Sequence, residues 1–219
     1  MKRWAGVIGS PIEHSLSPIL HDTAFGLLGL DWEYRIFRVE TDELATFIAG
    51  VGADCVGLSV TSPLKRAVLP LVDATDGLAN LVEAANTVAF SSAMSAAFNT
   101  DVQAIVDTVR PHLVTPSVTG SSGLGLLGPE NAGPLTSLPP AVVVGTGATA
   151  CSALAALKSL GATKVYLVGR SFAGPQNAYV NGMALGLEVH SVLLRVVDRY
   201  LPALNAAPVL ISTVPPAAT

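Results

Sequence analysis

"AVVVGTGATA", residues 141–150, is the stretch on which the fold turns. An apolar, β-branched run leads into Gly145, Gly147 and Ala150 at GxGxxA spacing, and small, helix-compatible residues follow directly. A strand in "AVVVGTG" and a helix over Thr149–Leu160 are predicted. The first glycine makes the tight turn, the second lets backbone approach a pyrophosphate, and the third small residue lets helix and strand pack closely. The helix N-terminus then faces the phosphates, so Gly145, Thr146, Gly147, Ala148, Thr149 and Ala150 form a candidate dinucleotide cradle. The next strand, "KVYLVGR", bears on which dinucleotide. A free ribose hydroxyl usually meets Asp or Glu at that strand end; here the chain offers Gly169, Arg170 and Ser171, with no acid nearby. A guanidinium fork and a hydroxyl suit a 2′-phosphate, which favours NADP over NAD.

Outward from this turn, short β-branched runs alternate with longer helical ones, the signature of parallel α/β units. Upstream, "WAGVIG", "WEYRIFRV" and "CVGLSV" read as strands, the last buried on both faces. Ser17–Leu28 reads as a helix with a serine cap and Pro18 in its first helical position. Glu43–Val51 reads as a helix, and Lys65–Val72 and Asp76–Leu81 as short ones. "ANTVAF" and "MSAAFNT" read as strands joined by "SSA", and Asp101–Val109 as a helix. Downstream of the turn, Asn177–Leu185 reads as a helix, and "LEVHSVLL" and "PVLISTV" as strands. Between Pro111 and Pro140 periodicity gives way to Ser, Gly, Pro and Thr. The expected organisation is an α/β two-lobe chain: an N-terminal α/β substrate-binding and catalytic domain at 1–110, a linker or surface excursion at 111–139, and a Rossmann-like NAD(P)-binding domain at 140–219.

Composition removes whole classes of function. Half of the 219 residues are hydrophobic and 13% are charged, which excludes a solvating, disordered chain. A net charge of -4 and a pI near 5.5, with no Lys/Arg cluster, provide no field for nucleic acid. Mean hydropathy is +0.54, but glycines and prolines interrupt the uncharged run from Asn131 to Leu157, so no membrane-spanning helix is expected. The N-terminal apolar segment is too short for a signal peptide, and a cytoplasmic protein is expected. Cys55 and Cys151 sit in separate apolar segments and read as core residues. No metal site is expected, since no cluster has ligand spacing.

Reacting groups gather at strand ends of the first lobe. Lys65, in "SVTSPLKR", follows a buried strand, where an open α/β sheet places its ligand crevice. Thr61 and Ser62 precede Pro63 in a rigid turn. Asp101 ends "AAFNT" and opens a helix, where a capping role is common. Ser15 and Ser17 lie at a strand-to-helix junction, and Asn86 lies in a loop before its strand. If these strands are parallel, the junctions share one sheet edge. A lysine and a carboxylate in such a crevice can trade protons, the carboxylate tuning the ammonium.

At these residues the chain resembles the shikimate dehydrogenase family. "GSPIEHSLSPILH" (residues 9–21) is similar to the family's substrate-binding signature, and "VTSPLK", "AANTV" and "NTD" follow in family order before the glycine turn. "STVP" near the end extends the match. Ser59 in "LSVTSPLK" makes the set most like an actinobacterial-type member. The resemblance implies NADP-linked reversible reduction of 3-dehydroshikimate to shikimate, a step of aromatic amino-acid biosynthesis. It implies that Ser15 and Ser17 hold the substrate carboxylate with help from Thr61. It implies that Lys65 and Asp101 form the catalytic pair and that Asn86 binds ring hydroxyls. His14 and His21 are expected to be structural. "SFAGPQNAY", after Arg170, lacks the second basic residue that often touches the 2′-phosphate. The family's later strands and helices are absent from these 219 residues, so the chain reads as a fragment or as a C-terminally shortened member. A quinate/shikimate dehydrogenase and a non-catalytic shikimate/NADP-binding homologue are the alternatives. The expected partner is a small-molecule substrate, with a homodimer the assembly considered.

Overall fold

The computed structural model describes residues 2–113, 138–174 and 177–214. Nearly all of the expected linker, and the end of "ISTVPPAAT", lie outside the described residues. The chain divides into two compact units, Met1–Thr100 and Asp101–Thr219.

The first unit runs β1 (Arg3–Gly9), α1 (Ser17–Leu27), β2 (Trp32–Arg38), α2 (Leu44–Ala49), β3 (Cys55–Val60), β4 (Ala74–Thr75), α3 (Gly77–Val82), β5 (Thr87–Phe90) and β6 (Ser95–Phe98). Its sheet has the order β2-β1-β3-β5-β6-β4. β1 is parallel to both β2 and β3, but β5 is antiparallel to β3 and to β6. The sheet is therefore mixed, with the strands on either side of "SSA" forming an antiparallel hairpin. Successive side chains of β1 serve opposite faces, as strand geometry requires. Ile8 packs with Leu44, Leu58 and Val88 on one side, while Val7 packs with Ile12, Phe25 and Tyr34 on the other.

Two local expectations are corrected. Lys65–Val72 is a run of turns ending in a 3-10 helix at Leu69–Leu71, not a short α-helix. The Lys65 carbonyl accepts the Ala85 N–H at 2.8 Å, and the Leu69 N–H turns to Arg66 instead. The residue before α1 is Leu16, and no side chain at that position caps the helix. Ser17 is the first helical residue, and its N–H donates to the Ser15 hydroxyl at 3.3 Å. Asp76 does cap α3, accepting the Ala79 N–H at 2.7 Å.

The second unit runs α4 (Asp101–Val109), β7 (Ala141–Val144), α5 (Ala148–Ser159), β8 (Lys164–Gly169), α6 (Ala178–Ala184), β9 (Glu188–Leu193), α7 (Val197–Ala206) and β10 (Leu210–Ser212). Its four strands are all parallel, in the order β10-β7-β8-β9. Chain order reverses between β7 and β10, the topological switch point at which open α/β sheets bind ligands. Helix α5 is buried continuously from Ala150 to Leu157. Its alanines allow neighbouring backbones to come close, and α4 packs on it with Val102 and Val106 buried. That packing places α4 in the second unit, whereas a boundary after residue 110 would leave it in the first. Among the described residues, no helix is long and apolar enough to cross a membrane.

Candidate active site

In the first unit the ends of β1 and β3 are clasped together. The Ser10 N–H donates to the Ser62 carbonyl and the Thr61 N–H to the Ile8 carbonyl, each at 3.0 Å. A Cβ on Gly9 would lie 2.8 Å from the Ser62 carbonyl oxygen, so this approach requires glycine. Both Ser10–Pro11 and Ser62–Pro63 are cis.

Ser15 and Ser17 are half-buried just beyond this clasp. The Ser15 hydroxyl accepts the Ser17 N–H, which leaves the Ser15 proton to be donated. The Ser17 carbonyl lies 2.8 Å from His21 Nδ1, and the His21 ring stacks on Tyr34 at a centroid distance of 4.1 Å. The Tyr34 hydroxyl donates to Ser59 Oγ at 2.7 Å. Burial raises the Tyr34 pKa, opposed by the hydroxyls of Ser59 and Ser17. Tyr34 is the residue that motif reading missed. It sits in β2, outside the quoted motifs, and only the parallel β1/β2 pairing places it near them.

The antiparallel course of β5 brings Asn86 to the same sheet edge. Thr87 pairs with Ser59, and the Val60 N–H donates to the Asn86 carbonyl at 2.7 Å. The Asn86 carboxamide closes the hairpin: Nδ2 donates to Thr100 Oγ1 at 2.8 Å, and Oδ1 accepts the Thr100 N–H at 3.0 Å. Asn86 thus has a structural duty alongside the binding role expected of it. Lys65, half-buried, has its backbone tied one residue away at Ala85. Ser15, Ser17, Thr61, Lys65 and Asn86 consequently share the C-terminal edge of β1 and β3.

Asp101 opens α4 and belongs to the second unit. It lines a cavity of about 440 Å³ that Thr149, Ile211 and Ser212 also line, at the switch point between β7 and β10. One predicted catalytic residue is thereby placed beside the predicted cofactor turn.

That turn fits a dinucleotide phosphate. Gly145 has φ +120°, and a Cβ there would collide with the Thr213 side chain. Thr213 also donates from Oγ1 to the Val144 carbonyl at 3.0 Å. Gly147 precedes α5 without a side-chain cap, and the space a Cβ would occupy there is open. No acidic residue occupies the first turn of α5, so nothing opposes an anion there. Ala150 is fully buried and lets α5 sit close to the sheet. Arg170 and Ser171 are exposed just past β8, and the Ser171 hydroxyl accepts the Ala173 N–H at 3.2 Å.

The family model described as "Shikimate dehydrogenase substrate binding domain" matches residues 7–88. A protein of Citrifermentans bemidjiense named shikimate dehydrogenase (NADP(+)) is 40% identical over 76% of this chain and 51% of its own length. One of the same name from Halobacterium salinarum is 38% identical over 83% of this chain and 61% of its own. The crystal structure of Mycobacterium tuberculosis shikimate dehydrogenase superposes with a TM-score of 0.77 at 31% identity, covering 99% of this chain and 72% of that one. The chain spans about half the length of the first curated relatives it matches.

Proposed function

The chain belongs to the shikimate dehydrogenase family, and from that premise we propose that it catalyses the reversible, NADP-linked reduction of 3-dehydroshikimate to shikimate. The observation that carries the reading is the shared sheet edge of the first unit. There the Ser15 hydroxyl accepts the Ser17 N–H, the Lys65 carbonyl accepts the Ala85 N–H, and the Asn86 carboxamide is tied to Thr100. A small carboxylate with ring hydroxyls is the ligand such a surface selects.

Ser15 and Ser17 donate to the substrate carboxylate, Thr61 assists, and Asn86 orients ring hydroxyls. Their turns are pre-formed, so little ordering cost remains when substrate arrives. Lys65 Nζ gives a proton to the ketone oxygen in the reductive direction and removes it in the oxidative one. Asp101 is the carboxylate partner of Lys65 in the catalytic pair that the family resemblance implies. The residues of the glycine turn, with Arg170 and Ser171, hold NADP, which when bound supplies or accepts the hydride.

A cytoplasmic location and a homodimer complete the proposal. The location is supported by two buried free thiols, Cys55 and Cys151, as a reducing compartment allows. Light scattering on the purified chain tests the dimer.

The catalytic proposal is tested by following NADPH absorbance with 3-dehydroshikimate, for wild type beside Lys65→Ala. Substrate-dependent consumption that falls by roughly 10²–10⁴ in the variant is expected, the range for loss of a general acid. Shikimate binding without consumption would instead favour a non-catalytic homologue, and neither would overturn the reading.

A further inference from the structure

The segment after Arg170 brings no second cation to the strand end, but the adjacent strand does. β8 and β9 run parallel in register from Lys164/Glu188 to Gly169/Leu193. The pairing is carried one step further by the Leu194 N–H, which donates to the Gly169 carbonyl at 2.8 Å. Arg170 follows β8 and stands level with Leu194, Arg195 is the next residue in the turn that leaves β9, and the three line one cleft of about 320 Å³. Both are exposed, and neither makes an ion pair among the described residues. Adjacent strands lie about 4.8 Å apart. Two guanidinium groups lining one cleft repel each other unless an anion sits between them.

We infer that Arg195 is the second cation of a 2′-phosphate subsite, acting with Arg170 to select NADP over NAD. The inference rests on the reading of the second unit as an NAD(P) cradle. Three features give the subsite its chemistry. Each guanidinium can offer paired N–H donors to a phosphate dianion. The Ser171 hydroxyl, whose oxygen already accepts the Ala173 N–H, has its proton to donate. The third is an absence: no carboxylate lies on β8 or in the residues just past it, where a ribose hydroxyl would require one. The segment after β8, where a second basic residue is absent, is thus compensated from the turn that follows β9. Sequence distance hides this, since Arg170 and Arg195 stand 25 positions apart in the chain and meet only in the cleft past the ends of β8 and β9.

The test is calorimetric titration of NADP+ and of NAD+ into wild type, Arg195→Ala, Arg195→Lys and Arg170→Ala, with circular dichroism confirming that each variant is folded. Wild type is expected to prefer NADP+. Arg195→Ala should lose roughly tenfold in NADP+ affinity, the low end of what a charge-assisted hydrogen bond contributes, with NAD+ affinity unchanged. Arg195→Lys should recover part of the loss, and added salt should narrow the gap between cofactors more in wild type than in Arg195→Ala, which keeps Arg170. Equal NADP+ affinity in wild type and Arg195→Ala, with NADP+ still bound by both, would overturn the role of Arg195 and leave the cofactor cradle standing. Binding of neither dinucleotide by wild type would overturn both.

Discussion

The edge of the first unit and the glycine turn of the second are both built at the C-terminal ends of parallel strands, yet as proposed ligand sites they are built in opposite ways. The first unit arranges side chains in advance. Ser15, Ser17, His21, Tyr34 and Ser59 are linked by contacts or stacking, and Asn86 is locked to Thr100. The second unit offers bare backbone, an uncapped helix start, and cations at strand ends. A small polyhydroxylated acid is recognised by where individual hydroxyls point, so its site needs fixed donors. A dinucleotide phosphate is recognised by field and close approach, so its site needs space and positive charge.

The largest expected effect that separates the two regions is that of Lys65→Ala. Turnover should drop by roughly 10²–10⁴ while NADP+ binding is untouched, because the proposed proton donor lies in one unit and the proposed cradle in the other. Stopped-flow absorbance and cofactor titration on the same preparation check it. If cofactor affinity fell as well, the division of labour would be broken.

Gly145→Ala comes next. At φ +120° a side chain costs about 1–3 kcal/mol in backbone strain, and the new methyl also strikes Thr213. The expected outcome is a lower urea midpoint and weaker NADP+ binding, with shikimate binding preserved. A variant with wild-type midpoint and cofactor affinity would show that the turn does not need its glycine.

Tyr34→Phe sharpens the comparison from the other side. It removes the hydroxyl that donates to Ser59 and faces Ser17, at a cost of about 1 kcal/mol. Shikimate affinity should fall modestly and NADP+ affinity should not change.

The smallest effect concerns Cys55, buried on the first-unit sheet, whose thiol pKa burial pushes up from 9.0 to about 11. A raised folded-state pKa means that the native chain holds its proton where the unfolded chain releases it. The associated stability is whole below about pH 9 and is lost as pH rises through about 11. Slow labelling of the native thiol at neutral pH, accelerating on denaturant addition, is the accompanying observable.

Much of this was legible in the chain, because the chemistry and the local signals coincide. α4 begins and ends where Asp101–Val109 predicts, and every strand read from a β-branched run is present. What escaped depends on pairing between distant segments. The reversal of β5 is invisible in "ANTVAF", yet it is what carries Asn86 to the Lys65 edge. Helix α7 was hidden by Pro202 in its interior, a residue that ordinarily argues against a helix. The Lys65 turn looked helical until the Ala85 N–H claimed its carbonyl. Tyr34 and Arg195 sit in no motif at all: the β1/β2 register brings Tyr34 towards Ser59, and the turn past β9 brings Arg195 into the cleft that Arg170 lines.

The most direct measurement of the whole account is a pair of calorimetric titrations, shikimate and NADP+, into wild type and into the Ser15→Ala/Ser17→Ala double variant. Wild type should bind both ligands. The double variant should lose shikimate affinity by about tenfold or more, as two hydroxyl donors to a carboxylate are removed, and should keep NADP+ affinity. Shikimate binding of equal strength in both proteins would contradict the assignment of the first-unit edge as the substrate site.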